Sequence, residues 1–317
     1  MHTLIAPVLD SPARTRVPGN PGHPSVRVAA VQTRWHPDPA EHRRVLLDGV
    51  ARAADAGAAI VFNQELTLAR YFCDALPAGD PQEHAEDLET GPTLAMAAEA
   101  ATAHGVHVHA SLFERTRDGD DPRGFNTAVL VGPDGRLVAR TRKVHLPVTA
   151  GYHEDRYFRP GTDAVPYPVH RAAGVRLGLP TCWDQWFPEP ARAYALSGAQ
   201  LLAYPTAIGS EPDHPGFDTS QAWRTTMVAH GIANGLFIVA ANRWGDEGGL
   251  TFYGASFISD PYGRVLVEAP RDADAVLVAD LDLAQGPDWL DLFPLHRTRR
   301  PDTYRDLVEA AGRASRR

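Results

Sequence analysis

The sequence predicts a layered α/β protein. Short apolar segments typical of strands alternate with helix-length segments in both halves of the chain. Hairpins predicted around residues 133–135 and 261–263 separate these strand–helix–strand units. Because a regular βα barrel repeats one unit without such hairpins, the mixture favours a sandwich of sheets and helices over a barrel.

The first half of the chain begins with a β-branched strand over residues 26–32. Asp38 and Pro39 supply an N-cap and a first-turn proline for a helix that ends at Gly57. The other elements predicted here are a strand over 58–62, a helix over 92–104, a strand over 106–113, hairpin strands over 125–131 and 136–140, and a loop over 147–162.

The second half repeats the alternation of strands and helices. A strand over residues 175–179 leads to Cys182, and a helix follows that begins near Pro188. The remaining predictions are a strand over 201–204, a helix over 220–234, a strand over 237–241, hairpin strands over 252–258 and 264–268, a strand over 276–281, and a terminal helix over 300–310. We expect the terminal helix to dock on the domain or exchange with a partner subunit.

Composition limits the class of protein. The chain has 317 residues, of which 44% are hydrophobic, so one large α/β domain with a sizeable core is possible. A net charge of −8 argues against a nucleic-acid partner. Two cysteines suit a reducing compartment, and no apolar run approaches the roughly 18 residues of a membrane helix, so we expect a cytoplasmic protein without membrane contact.

The two ends of the chain differ in composition from the rest. Residues 1–24 contain five prolines and no long apolar run, which predicts a flexible extension rather than a secretory signal. The domain is therefore expected over residues 25–310, with a short tail over 311–317.

Cys182 stands at the predicted turn between a strand and a helix. Such a turn lifts a side chain out of the sheet, near the partly positive start of the helix, where a thiol becomes reactive. The chain has only one other cysteine, Cys73, so neither a disulfide framework nor a cysteine-based metal site is predicted. The plainer alternative is that Cys182 is a small core residue.

Two charged residues also follow predicted strands. Glu65 comes after strand 58–62, and Lys143 comes after the first hairpin. A thiol needs a base near pH 7, so Glu65 is a candidate proton acceptor and Lys143 a candidate partner that keeps Glu65 ionised and stabilises an oxyanion. Glu154, a second acid, stands 11 residues beyond Lys143. Taken singly, each could instead be a capping or solvated side chain.

Several motifs carry a resemblance to a known family. They are Gln64-Glu65-Leu66, Tyr71-Phe72-Cys73, Arg142-Lys143 with His145 and Pro147, Gly151-Tyr152 with Glu154, residues 182–189, residues 204–212, Asn242-Arg243, residues 251–254 and 256–258, and residues 299–302 with Tyr304. Over residues 26–308 the chain resembles the nitrilase superfamily of carbon–nitrogen hydrolases. The resemblance implies a four-layer αββα sandwich and a homo-oligomer, a dimer or larger.

The resemblance also implies roles for individual residues. Glu65 matches the general base, Lys143 the electrostatic stabiliser, Cys182 the nucleophile, and Glu154 the second glutamate near the site. Lys143 and the backbone N–H of Trp183 would form the oxyanion hole. The motifs at 182–189 and 204–212 point to a branch that hydrolyses N-carbamoylputrescine to putrescine, carbon dioxide and ammonia, without a metal or cofactor.

The expected partner is a small carbamoylated amine. An ammonium loses its hydration on binding and needs a counter-charge, which Glu211 would supply, unless Glu211 is only a loop or capping carboxylate. Tyr71, Trp183 and Trp186 are further candidates for the substrate pocket. Asp184 is expected to pair with Arg192 and fix the turn.

Two other functions remain open at this stage. Another amidase, such as a β-ureidopropionase or an N-carbamoyl-amino-acid hydrolase, would need a basic pocket. A catalytically silent assembly or binding protein would not need the intact acid, lysine and cysteine set. Residues 148–150 depart from the acidic stretch usual in the branch, Pro180 interrupts the approach to Cys182, and the segment over 244–250 is short.

Overall fold

Two β-sheets form the centre of the chain, which a computed structural model describes over residues 1–13, 24–117, 119–161 and 163–308. The strands of the first sheet are β1 (His2–Ile5), β2 (Ser25–Gln32), β3 (Ile60–Phe62), β4 (His107–Glu114), β5 (Phe125–Val131), β6 (Leu137–Arg142) and β15 (Ala275–Asp282). They lie in the order β1-β15-β2-β3-β4-β5-β6, and β2, β3 and β4 run parallel.

The second sheet repeats this plan with six strands. They are β7 (His170–Ala172), β8 (Val175–Gly178), β9 (Leu201–Pro205), β10 (Phe237–Ala241), β13 (Phe257–Ser259) and β14 (Val265–Glu268). The order is β14-β13-β10-β9-β8-β7, with β8, β9 and β10 parallel. A separate antiparallel ribbon joins β11 (Trp244–Asp246) to β12 (Thr251–Tyr253).

Helices cover the outer faces of both sheets. The helices are α1 (Pro39–Asp55), α2 (Pro92–His104), α3 (Pro188–Leu196), α4 (Ser220–Asn234) and the short α5 (Gln285–Leu292). Apolar residues of α1 and α2 pack on the first sheet, and those of α3 and α4 pack on the second. Between the sheets lies a further apolar core that includes Phe62, Leu177 and Val239. The predicted four-layer αββα sandwich is therefore confirmed.

Residues 1–24 are more ordered than predicted at their start. His2–Ile5 adds a parallel edge strand to β15, because β15 offers a free row of backbone groups on that side. The prediction of a flexible extension is wrong for this strand, whereas residues 14–23 lie outside the described ranges. No helix in the described part of the chain is long and apolar enough to cross a membrane.

Two other predicted elements need correction. The strand expected over 252–258 is broken, because Gly254 and Ala255 both adopt positive φ angles (58° and 56°) that end β12 before β13 begins. The helix expected over 300–310 is replaced by 3₁₀ turns at Pro301–Thr303 and Arg305–Val308, and residues 309–317 are not described. Successive 3₁₀ turns hold fewer backbone bonds than the predicted α-helix.

His109 of β4 is buried completely at the first sheet, beside the ring of Phe62. Neither ring nitrogen of His109 has a hydrogen-bond partner among the described residues. Burial lowers the pKa of His109 from its ordinary value of 6.5 to about 3, although the nearby backbone of Asn63 acts on the ring in the opposite direction. The folded chain therefore holds this imidazole neutral over most of the acidic range.

This burial predicts an acid-sensitive contribution to stability. Below pH 6.5 the unfolded chain binds a proton that folded His109 refuses, so stability falls by up to about 1.4 kcal/mol per pH unit from this group. His109→Leu should flatten that part of the decline between pH 6.5 and 4.5, measured by urea unfolding. The same substitution at the exposed His104 should leave the pH dependence unchanged. Equal slopes for His109→Leu and the parent chain would contradict the prediction.

Candidate active site

The topology brings three predicted site residues to one edge of the sandwich. Glu65 follows β3 and Lys143 follows β6, and these two strands run in the same direction because β4, β5 and β6 alternate by hairpins. Cys182 follows β8 in the second sheet. Strand ends of both sheets therefore supply the site, as expected for an α/β protein.

Lys143 connects two buried carboxylates. Its Nζ donates to Glu65 Oε1 at 2.9 Å and to Glu154 Oε2 at 2.6 Å, and all three side chains are fully buried. The other Glu154 oxygen accepts a hydrogen bond from the Tyr71 hydroxyl at 2.9 Å. The structure thus brings the predicted glutamates and lysine into one continuous network.

Burial and charge act in opposite directions on this network. Burial tends to lower the pKa of Lys143, but the neighbouring Glu154 and Glu65 carboxylates raise that pKa well above its ordinary value. Burial raises the pKa of Glu154, while Lys143 opposes the increase. Lys143 therefore remains an ammonium ion, able to stabilise negative charge that develops beside it.

Cys182 lies at the first position of the turn that follows β8. The strand ends at Gly178, before Pro180, and a 3₁₀ turn spans Cys182–Trp186. Cys182 has a φ of 39°, a left-handed conformation that is unusual for a residue other than glycine. Its side chain is 4% exposed, and its Sγ lies 3.9 Å from the carbonyl oxygen of Ala207. The turn thus points the thiol inward, to a buried position.

The Cys182 thiol requires a base. Burial raises its pKa well above the ordinary value, the Glu65 charge raises it further, and Lys143 opposes them. Glu65 has an oxygen free for this purpose, since Oε2 has no hydrogen-bond partner among the described residues. The other oxygen, Oε1, is held by Lys143 and by Asn126 Nδ2 at 2.7 Å. Glu65 Oε2 is therefore available to accept a proton, and Glu65 lies near enough for its charge to act on the Cys182 thiol.

The turn also presents a backbone donor. Trp183 is the second residue of the 3₁₀ turn, so its N–H is not used by the turn's own hydrogen bonds. Asp184 braces the turn by accepting hydrogen bonds from the Thr181 N–H at 3.0 Å and from His145 Nδ1 at 2.7 Å. The expected pairing of Asp184 with Arg192 is wrong, because the carboxylate is already occupied by His145 and the backbone.

A small cavity of about 100 Å³ opens onto the thiol. Its lining includes Cys182, Trp183, Trp186 and Glu211, four of the residues predicted from the sequence. Tyr71 is not among the lining residues and instead bonds Glu154 behind the site, so its contact with substrate is not supported. The complete lining is Pro147, Thr149, Tyr152, Cys182, Trp183, Trp186, Ala207, Ile208 and Glu211.

Glu211 is the only charged residue that lines this cavity in the described part of the chain. It is half-buried, and one carboxylate oxygen lies 3.3 Å from the Thr219 hydroxyl. The wall opposite is aromatic or aliphatic. The cavity therefore combines a thiol at one position with a single carboxylate at another.

Among the site residues that were not predicted from the sequence, two make side-chain hydrogen bonds there, Asn126 and Tyr152. Asn126 holds Glu65, and a polar residue inside the apolar strand β5 was a signal for it. Tyr152 lines the cavity, and its hydroxyl accepts from the Gly209 N–H and donates to the Ser210 carbonyl. No group of three or more His, Cys, Asp or Glu side chains suited to a metal ion occurs among the residues that the structure describes.

Known proteins are similar to this chain in sequence over most of its length. The family model described as "Carbon-nitrogen hydrolase" matches residues 27–289. An N-carbamoylputrescine amidase from Arabidopsis thaliana is 38% identical over 271 residues, which cover 83% of this chain and 88% of that protein. A citrullinase from Francisella tularensis is 35% identical over 288 residues, which cover 90% of this chain and 98% of that protein.

Solved structures agree with the fold. A carbon-nitrogen hydrolase from Helicobacter pylori G27 has a TM-score of 0.81 at 31% identity and covers 90% of this chain and 99% of its own. A variant of the Nesterenkonia sp. AN1 amidase has a TM-score of 0.70 at 28% identity, covering 89% of this chain and 97% of its own. That structure shows the acetamide moiety of fluoroacetamide added covalently at the active-site cysteine.

The matched span, the identities and the shared fold agree with the site geometry. Its relatives include amidases that act on carbon–nitrogen bonds other than peptide bonds. The chain belongs to the carbon–nitrogen hydrolase family of the nitrilase superfamily.

Proposed function

We propose that the chain hydrolyses N-carbamoylputrescine to putrescine, carbon dioxide and ammonia. The observation that carries the proposal is Glu211, a lone carboxylate in the cavity that also contains the Cys182 thiol. An ω-ureido amine has a carbonyl for the thiol at one end and an ammonium for a carboxylate at the other. The N-carbamoylputrescine amidase of Arabidopsis thaliana, 38% identical to this chain, supports the same substrate.

The first half of the reaction forms a covalent intermediate. Glu65 takes the proton of Cys182, and the thiolate attacks the ureido carbonyl carbon. Lys143 and the Trp183 N–H stabilise the oxyanion of the tetrahedral intermediate. Protonated Glu65 then passes its proton to the terminal nitrogen, and the carbon–nitrogen bond breaks. Ammonia departs, and an N-alkylcarbamoyl thioester remains on Cys182.

The second half releases the product. Glu65 takes a proton from water, the hydroxide attacks the thioester carbonyl, and the sulfur departs with the proton returned by Glu65. The resulting carbamic acid decomposes to carbon dioxide and putrescine. Glu154 remains beside Lys143 throughout, where it compensates the buried ammonium.

Charge at the far end of the cavity distinguishes the alternatives. A β-ureido acid needs a cation for its carboxylate, and no Arg, Lys or His belongs to the cavity lining of the described chain. Citrulline carries both an ammonium and a carboxylate, so Glu211 suits only one of its charges. The similarity to a citrullinase nevertheless makes citrulline the closest competitor to be tested.

Replacing the nucleophile or the base should abolish turnover. We expect Cys182→Ser and Glu65→Gln each to lower kcat by at least about 10³-fold, since the covalent step needs both thiol and base. Ammonia release under saturating substrate measures the effect, and circular dichroism checks folding. The control is Cys73→Ser at the other buried cysteine, which should retain turnover. Near-normal kcat for Cys182→Ser would contradict the mechanism.

Removing the charge of Glu211 should affect amine substrates selectively. Glu211→Gln keeps the shape of the side chain but loses the counter-charge, so kcat/KM for N-carbamoylputrescine should fall about tenfold or more, a loss of roughly 1.4 kcal/mol. For N-butylurea, which lacks the ammonium, kcat/KM should change little. An unchanged ratio of the two substrates would exclude this role for Glu211.

A substrate panel separates the members of the class. N-carbamoylputrescine should give the highest kcat/KM, citrulline a lower value because its carboxylate meets no cation, and β-ureidopropionate the lowest because it also repels Glu211. Ammonia release with equal enzyme concentrations makes the comparison. A kcat/KM for citrulline equal to or above that for N-carbamoylputrescine would replace the proposed substrate while leaving the thiol chemistry intact.

A further inference from the structure

Arg243 is a completely buried arginine immediately beyond β10, and the proposed mechanism does not use it. Its Nη2 donates to the backbone carbonyl oxygens of Glu65 at 2.5 Å and Leu66 at 3.2 Å, and Nη1 donates to that of Ala69 at 3.2 Å. One guanidinium thus holds three carbonyls of the loop that carries the proposed base.

That loop needs to be held. Leu66, which directly follows Glu65, has a φ of 47°, and a side chain with a Cβ adopts this left-handed conformation only at a cost of about 1–2 kcal/mol. The backbone directly after Glu65, at Leu66, is therefore in a conformation that it would not keep by itself. The donors to its carboxylate, Lys143 and Asn126, fix Oε1 but do not fix the backbone.

Glu247 extends the same arrangement to the second carboxylate of the site. It lies in the connection between β11 and β12, is almost fully buried, and accepts from Arg243 Nη1 at 2.8 Å. Its other oxygen accepts from the Tyr71 backbone N–H at 2.8 Å. The ion pair therefore contacts both ends of the segment over 65–71, through Arg243 at Glu65 and through Glu247 at Tyr71. The hydroxyl of the same Tyr71 donates to Glu154.

The chemistry of this pair fits a positioning role. An arginine spreads its donors over separate nitrogens of a rigid planar fork, whereas the three donors of a lysine all lie on one flexible nitrogen. A buried ion pair is a poor source of stability, since the loss of hydration offsets much of its attraction. A fixed geometry at the base, however, matters directly for proton transfer.

We infer that Arg243 and Glu247 are positioning residues, which hold Glu65 at the distance that proton exchange with Cys182 requires. The inference rests on the proposed role of Glu65 as the base. It assigns a function to the short β11–β12 ribbon, whose connecting segment reaches back from the second sheet to the loop of the first.

The test is Arg243→Lys, which keeps a positive charge but replaces two separated donor nitrogens by one, so it cannot reproduce the contacts with both the carbonyls and Glu247. We expect kcat to fall by about tenfold to 100-fold with KM for N-carbamoylputrescine nearly unchanged, because the base moves while the cavity does not. The control is Arg27→Lys, in which the parent guanidinium likewise bonds a carboxylate, Asp280, and a carbonyl, that of Ala56, far from the site. It should leave kcat unchanged.

A second readout separates positioning from loss of stability. Iodoacetamide should alkylate Cys182 more slowly in the single variant Arg243→Lys than in the parent chain. Peptide mass spectrometry measures the rate. In a Glu65→Gln background, where no base remains to be positioned, adding Arg243→Lys should have no further effect. An equal slowing in both backgrounds, or no change in kcat for a folded Arg243→Lys, would overturn the inference.

Two further variants cover the remaining outcomes. If Arg243→Lys does not fold, the double variant Arg243→Gln with Glu247→Gln leaves no unpaired buried charge and should show the same fall in kcat. Retained kcat in that folded double variant would also overturn the inference. Turnover retained by Glu65→Gln alone would instead reject the proposed mechanism, so the two failures are distinguishable.

Discussion

The buried ammonium of Lys143 is the interaction on which the rest of the site depends. Two fully buried carboxylates accept hydrogen bonds from it, and its positive charge offsets part of the cost of removing them from water. Burial disfavours the ionisation of the Cys182 thiol beside this network, and the positive charge of Lys143 opposes that effect. The burial of Cys182 therefore favours the neutral thiol, and forming its thiolate requires an acceptor for the proton.

The αββα sandwich makes this arrangement possible because each sheet contributes one chemical part. The first sheet supplies Glu65 and Lys143 from the ends of strands that run in the same direction, and the second supplies the thiol and the backbone donor from one turn. The core between the sheets fixes their separation with apolar side chains. Cross-sheet contacts such as those of Arg243 then adjust the catalytic loops to within the tolerance of a hydrogen bond.

Much of this could be predicted from the sequence, and the remainder could not for identifiable reasons. The spacing of apolar residues and the positions of glycine and proline located most strands and helices. The family motifs located Glu65, Lys143, Glu154 and Cys182. The break at residues 254–255 was not foreseen, since an alanine with positive φ has no local signal. Because of this break, β12 does not continue into β13 and instead pairs with β11. The pattern of apolar residues in the strands does not indicate that pairing.

The left-handed backbone at Cys182 has a consequence for how this protein can change. A glycine would relieve the strain there, so the proposed nucleophile occupies a position at which the folded chain is less stable than it could be. Leu66, beside the base, is in the same situation. A screen of random variants for heat resistance alone would thus tend to select inactive proteins with substitutions at these two positions. A search for more stable variants must therefore also measure turnover.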